Sequence, residues 1–130
     1  MHQRPLSPHM SIYRMHRYSL LTSIINRATG IAMSLGLLTL VYWLTSLARG
    51  AHAYLSAQAV LASPPAKLLY AGLLAAFAYH LVAGIRHLVW DAGVGMERSQ
   101  SQRSAWLVMV TAVVLAVILI LCAFRAREGA

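Results

Sequence analysis

Three long apolar segments separated by short polar ones dominate the pattern of this chain. Residues 28–48, 68–85 and 104–124 contain no Asp, Glu, Lys or Arg. Each segment is close to the roughly 20 residues with which an α-helix crosses about 30 Å of hydrocarbon. The pattern therefore predicts an all-α membrane protein with three transmembrane helices, at about 22–48, 66–90 and 104–124.

Polar residues and glycines set the expected ends of these helices. Thr22 or Ser23 can cap the first helix by accepting hydrogen bonds from its free amides. Ala-Gly-Val-Gly at 92–95 ends the second helix, and a short polar loop is expected over 96–103. The rest of the chain is too short and too polar for a second domain. Residues 1–130 are therefore predicted to form a single membrane-anchor domain.

Composition agrees with a membrane protein. The chain is 59% hydrophobic and 11% charged, whereas soluble domains carry about 25% charged residues. Its net charge of +8 does not indicate nucleic-acid binding, because the basic residues flank the apolar spans and do not share one soluble face. The N-terminus has no signal-peptide core, so we expect a bacterial inner-membrane protein that lies among membrane lipids.

The distribution of basic residues predicts the orientation. With three spans, seven basic residues lie on the side of the N-terminus and the second loop, namely Arg4, Arg14, Arg17, Arg27, Arg86, Arg98 and Arg103. Four lie on the other side, namely Arg49, Lys67, Arg125 and Arg127. The positive-inside rule then places the N-terminus in the cytoplasm.

His80 is the most informative residue, because it lies in the middle of the second apolar span. An ionisable side chain inside a membrane marks a functional site by default, and a neutral imidazole nitrogen is a good ligand for haem iron. At 100° per residue, Gly84, His87 and Asp91 share the helix face of His80. Gly84 leaves room for a flat macrocycle, and His87 can meet its propionates. The long Arg86 side chain can reach the same anionic edge or the lipid headgroups.

Other roles are open for these residues. His80 can simply hydrogen-bond a carbonyl of a neighbouring helix, and His87 can be an interfacial side chain. Asp91 can cap the loop or pair with Arg86, and Gly84 can serve helix packing. One chain supplies one in-span histidine, so a six-coordinate haem requires a second histidine from an obligate partner subunit.

The first helix carries a candidate quinone site. Ser23 and Arg27 are four residues apart and share a helix face at the inner boundary of the membrane. Their hydroxyl and guanidinium groups can bind the carbonyl oxygens of a quinone. Alternatively, Ser23 is only a helix cap and Arg27 only a positive-inside anchor.

Three segments resemble one known family. They are RPLSPHMSIY at 4–13, SIINRATG at 23–30 and HLVAGIRHLVWD at 80–91, the last being the most specific. With the length and the three spans, they make the chain similar to the cytochrome b556 subunits of succinate dehydrogenase, respiratory complex II. At position 26 this chain has Asn where many members have a histidine near a haem propionate.

The resemblance implies a three-helix anchor that forms half of a heterodimeric haem-binding bundle. A second membrane-anchor subunit would supply the other axial ligand of one shared haem b. His80 corresponds to the family's haem ligand, Ser23 and Arg27 to its ubiquinone-contacting residues, and Asn26 to a position beside the haem. A flavoprotein and an iron–sulfur subunit would dock on the cytoplasmic side.

The function implied is the transfer of electrons from succinate oxidation to the quinone pool. The chain has no flavin fingerprint and no cysteine cluster, so no catalytic succinate site is expected in it. A fumarate reductase anchor is the nearest alternative, because it runs the same chemistry in reverse. A haem-free structural anchor and a small transporter with His80 as a proton relay are further alternatives.

Overall fold

A computed structural model describes residues 17–128, with side chains from 20 to 125. Its helices are α1 (Arg17–Ala48), α2 (Ala51–Leu61), α3 (Pro64–Asp91) and α4 (Arg98–Glu128). Three of them contain segments that are long and apolar enough to cross a membrane, namely Leu20–Ala48, Pro64–Asp91 and Arg98–Arg125. The all-α membrane fold predicted from the apolar pattern is confirmed. The segment at 4–13 lies outside the described residues.

The helices extend further into the polar segments than the pattern predicted. Thr22 and Ser23 lie within α1, so neither of them caps it. The polar loop expected over 96–103 is also wrong in its extent, because α4 already begins at Arg98. Residues 98–103 contain no Gly or Pro, and the amide of Ser101 donates to the carbonyl of Glu97 at 2.7 Å. Polar residues that tolerate a helix therefore extend α4 on the N-terminal side of its apolar span.

A Schellman motif ends α3 and sets the turn to α4. The amide of Gly93 donates to the carbonyl of Trp90 at 2.8 Å, and that of Val94 to the carbonyl of Val89 at 3.3 Å. Gly93 has φ +79°, which is the left-handed conformation that the motif requires and that glycine adopts without strain. The Nε1 of Trp90 closes the turn by donating to the carbonyl of Gly95 at 3.2 Å.

Small side chains fill the interface between α3 and α4, which is the most extensive helix contact of the fold. The buried cluster consists of Ala83, Val108 and Ala112 together with one large side chain, Tyr79. Alanines let helix backbones approach closely, which is how helices gain dispersion energy in a membrane where lipid is as apolar as leucine. The large apolar side chains point outward instead; Leu68, for example, is 77% exposed.

Arg86 joins α3 to the beginning of α4. Its Nε donates to Ser104 Oγ at 2.9 Å, and one terminal nitrogen donates to the carbonyl of Ser101 at 2.8 Å. The guanidinium carbon also lies 4.0 Å from the ring centroid of Trp90. Arg86 is only 9% exposed, so its charge is satisfied by neutral groups of this chain and by an aromatic face.

We expect Arg86→Met to lower the free energy of unfolding by about 1.5–3 kcal/mol, since hydrogen bonds from a charged donor are lost. The matched control is Arg103→Met, because Arg103 is an exposed arginine at the same end of α4. The thermal unfolding of the protein in detergent measures both variants. Equal stability of the two variants would show that the contacts of Arg86 contribute nothing.

Candidate functional site

The first and third helices run antiparallel and touch through two glycines of α1. A Cβ at Gly30 would lie 3.2 Å from Cε1 of His80, and one at Gly36 would lie 2.8 Å from Cδ2 of Leu73. Moving six residues along α1 thus corresponds to moving seven residues back along α3. The absence of side chains at both glycines lets α3 side chains rest on the backbone of α1.

The imidazole of His80 reaches across this contact to polar atoms of α1. Its Nδ1 lies 3.2 Å from the carbonyl oxygen of Asn26 and 3.3 Å from Oγ1 of Thr29. Both hydrogen bonds that His80 makes to the described residues use Nδ1. The ring is half-buried, so an imidazole within an apolar span has one nitrogen satisfied by the neighbouring helix.

The Asn26 carbonyl decides which nitrogen of His80 carries the proton. A carbonyl oxygen only accepts hydrogen bonds, so Nδ1 at 3.2 Å has to donate. In the neutral ring, Nε2 is then the unprotonated nitrogen, with a lone pair for a metal or a donor. An Nδ1–H bonded to a backbone carbonyl is the usual second contact of a metal-ligating histidine. The hydrogen bond to a neighbouring helix and the ligand role are therefore compatible.

Asn26 contributes a second polar group. Its side-chain Oδ1 is buried and is the one such atom without a hydrogen-bond partner among the described residues. A buried amide oxygen without a partner costs free energy, so a partner from outside this chain would stabilise it. The amide can also turn by 180° and present its NH₂ group to an acceptor at the same place.

The remaining residues of the His80 face lie toward the α3–α4 turn. A Cβ at Gly84 would meet nothing within 4 Å, so this part of the helix is open. The exposed His87 stands edge-on to Trp90, with ring centroids 5.3 Å apart. Asp91 is exposed at the last residue of α3.

Ser23 and His87 are brought to the same level by the register of the two helices. Ser23 precedes Gly30 by seven residues on α1, and His87 follows His80 by seven on α3. Seven residues are within about 20° of two full turns, so Ser23 and His87 both lie about two turns nearer the same membrane end than Gly30 and His80. Ser23 is half-buried and Arg27 is exposed, which keeps the guanidinium accessible beside the hydroxyl.

Arg86 is not brought together with His80. Its side chain is held against Ser101 and Ser104, and at 100° per residue it lies about 120° around α3 from His80. The structure thus gives Arg86 a role in packing α4 and leaves the suggested contact of Arg86 with an anionic group as a prediction.

A family comparison fits this arrangement. The family model described as "Succinate dehydrogenase/Fumarate reductase transmembrane subunit" matches residues 1–120. The chain belongs to this family.

Individual members of the succinate dehydrogenase/fumarate reductase transmembrane family match along most of the chain. The "Succinate dehydrogenase cytochrome b556 subunit" of Paracoccus denitrificans is 37% identical over 121 residues, which are 93% of this chain and 92% of that protein. The subunit of the same name from Rickettsia felis is 36% identical over 118 residues, 90% of each chain. The mitochondrial cytochrome b560 subunit of Sus scrofa is 34% identical over 88% of this chain and 68% of its own length.

Sequence reasoning missed two residues of this family member's site. Thr29 lies in the segment SIINRATG at 23–30, but nothing in a single sequence shows that its hydroxyl faces α3. Tyr79 lies within the second apolar segment, and its hydroxyl donates to the carbonyl of Thr22 at 3.1 Å. Both contacts depend on how α1 packs on α3, and a hydropathy pattern does not contain that information.

We expect Gly30→Val to destabilise the packing of α1 on α3 by about 1–3 kcal/mol, because the added methyl groups overpack the His80 ring. Gly72→Val is the control, since a Cβ at Gly72 meets nothing within 4 Å and the change in helix propensity is the same. Thermal unfolding in detergent compares the two. If both variants lose the same stability, the Gly30–His80 contact does not hold the helices together.

Proposed function

We propose that this chain is the cytochrome b membrane-anchor subunit of a succinate:ubiquinone oxidoreductase, a non-flavin subunit of that enzyme. In this role it helps to bind one haem b and ubiquinone, and electrons from succinate oxidation pass to the quinone pool. The observation that carries the proposal is the His80 imidazole. Its Nδ1 is bonded to a carbonyl of α1, so Nε2 is left with a lone pair, in a chain of the succinate dehydrogenase/fumarate reductase transmembrane family.

The residues around His80 fit a haem. His80 would ligate the iron through Nε2, and the open surface at Gly84 would admit a flat ring. The buried amide of Asn26 and the exposed His87 offer polar contacts to its carboxylates, and Asp91 lies on the same helix face. A bound haem b would supply a one-electron carrier. The second axial ligand would come from a second membrane-anchor subunit, because His80 is the one histidine within the apolar middle of a span.

Ser23 and Arg27 would bind the head of ubiquinone. The Ser23 hydroxyl donates one hydrogen bond, and the guanidinium of Arg27 donates a charge-assisted one. A fixed positive charge beside a quinone oxygen stabilises the negative charge that develops there during reduction. Both residues lie at the end of α1 where basic residues accumulate, which is also where a soluble electron donor would dock.

Partners and location follow from the same role. An iron–sulfur subunit and a flavoprotein subunit would dock at the cytoplasmic end, and the N-terminus would lie in the cytoplasm of a bacterial cell with the chain in its inner membrane. The family model covers both succinate dehydrogenase and fumarate reductase anchors. The curated relatives described above are named for succinate dehydrogenase, which favours this direction.

His80→Ala should abolish or convert the low-spin haem b signal of the purified complex, because it removes the Nε2 ligand. His52→Ala is the control, since His52 is exposed on α2, and His87→Ala should shift the midpoint potential more than the occupancy. Optical and EPR spectra measure these effects. A wild-type bis-histidine spectrum in His80→Ala would rule out the ligand assignment.

Absence of any b-type spectrum from the wild-type complex, with flavoprotein and iron–sulfur subunits present, would favour a haem-free anchor.

Ser23→Ala and Arg27→Leu should both lower quinone reductase activity while succinate oxidation by an artificial dye continues. The loss of binding free energy should be about 0.5–1.5 kcal/mol for Ser23 and about 1.5–3 kcal/mol for the charged donor. Ser34→Ala and Arg103→Leu are controls on exposed residues elsewhere in α1 and α4. An Arg27→Leu complex that reduces quinone at the wild-type rate would leave Arg27 as a topology anchor only.

A further inference from the structure

Thr29 links the backbone of α1 to the imidazole of α3. Its Oγ1 lies 2.9 Å from the carbonyl oxygen of Ile25, 3.0 Å from that of Asn26 and 3.3 Å from Nδ1 of His80. The first two contacts are the hydrogen bonds that a threonine in a helix ordinarily makes to the carbonyls three and four residues before it. The third contact crosses to another helix, and it reaches the residue on which the proposed function rests.

The hydrogen atoms of this group can be assigned from the acceptors. Nδ1 of His80 carries its proton because the Asn26 carbonyl faces it. The Thr29 hydroxyl has one proton, which it donates to the nearer backbone carbonyl, that of Ile25. A lone pair of Oγ1 is then directed at the Nδ1–H, which the Asn26 carbonyl and the hydroxyl share as acceptors. Every donor in the group is satisfied without using Nε2.

We propose that Thr29 is a positioning residue that fixes the orientation and the donor strength of His80. This inference rests on the proposed ligation of haem by His80. The hydroxyl and the Asn26 carbonyl hold the edge of the ring that carries Nδ1, and Gly30 lets Cε1 rest on the backbone of α1. The ring therefore has a fixed rotation about its Cβ–Cγ bond, with Nε2 turned away from both acceptors.

The hydrogen bond also has an electronic effect. An acceptor on Nδ1–H increases the electron density of the imidazole and makes Nε2 a stronger donor. A stronger donor stabilises ferric iron relative to ferrous iron and lowers the reduction potential. Loss of the Thr29 acceptor should therefore raise the potential, and a looser ring should change the EPR signal, because that signal depends on the orientation of the imidazole plane.

Thr45 provides a matched control on the same helix. Its Oγ1 lies 2.8 Å from the carbonyl of Val41 and 2.9 Å from that of Tyr42, which repeats the local pattern of Thr29. Thr45 is exposed, and both of these hydrogen bonds are to carbonyls of its own helix. Thr45→Val therefore reproduces the change in volume, helix propensity and backbone hydrogen bonding, but not the loss of a contact with His80.

The experiment compares Thr29→Val, Thr29→Ser and Thr45→Val in the complete membrane complex, purified with all its subunits. Redox titration gives the haem midpoint potential, and EPR of the oxidised haem gives its largest g value. We expect Thr29→Val to retain haem with a higher potential and a shifted g value. Thr29→Ser should restore both because it keeps the hydroxyl, and Thr45→Val should match the wild type. If Thr29→Val does not assemble, Thr29→Ala supplies the same readouts.

Failure of the positioning role and failure of haem ligation give different results. An unchanged potential and g value in Thr29→Val, or an equal shift in Thr45→Val, would overturn the role of Thr29. In that case, haem loss in His80→Ala would still support the proposal that His80 ligates the iron. A wild-type haem spectrum in His80→Ala would instead overturn the ligation itself. A shift in Thr29→Val that Thr29→Ser reverses would support the inference, since a general packing defect is not repaired by a smaller hydroxyl side chain.

Discussion

The rest of the site depends on the contact between Gly30 and the His80 ring. A polar ring in an apolar span is costly unless its nitrogens find partners, and the hydrogen bond to the Asn26 carbonyl at 3.2 Å requires the ring to reach the backbone of α1. Glycine at position 30 leaves that room, whereas a Cβ would lie 3.2 Å from Cε1 and the ring would have to shift by a few tenths of an ångström. The same contact thus packs two helices, satisfies Nδ1 and sets the tautomer of the neutral ring.

The two helix interfaces of α3 differ in chemistry. Toward α4, small apolar side chains such as Ala83 and Ala112 make a close-packed interface, and Arg86 secures its end. Toward α1, polar contacts are added to apolar ones, with Tyr79 bonded to the Thr22 carbonyl and His80 bonded to the Asn26 carbonyl. The second and third spans therefore form the supporting pair, and the first span supplies the polar atoms on which the proposed function depends.

Much of this arrangement could be predicted from the chain itself. Apolar length is a local property, so the three spans were predictable, and an imidazole at position 80 is conspicuous in such a segment. The ends of α1 at Ala48 and of α3 at Asp91 were also close to their predicted positions. The beginning of α4 was not, because the polar helix formers at 98–103 carry no stop signal. Arg86 looked suited to an anionic ligand, and only the neighbouring positions of Ser101 and Ser104 show that its Nε and one terminal nitrogen donate to α4. The contact of Thr29 likewise depends on helix rotation.

The carbonyl that orients the imidazole belongs to α1, whereas the imidazole itself belongs to α3. Neither segment contains the site by itself. During synthesis α1 emerges from the ribosome first, and it has to remain beside the insertion machinery, or diffuse back in the bilayer, until α3 has entered the membrane. Lateral association of the two spans is therefore a maturation step, and the short α2 segment between them limits how far they separate before it occurs.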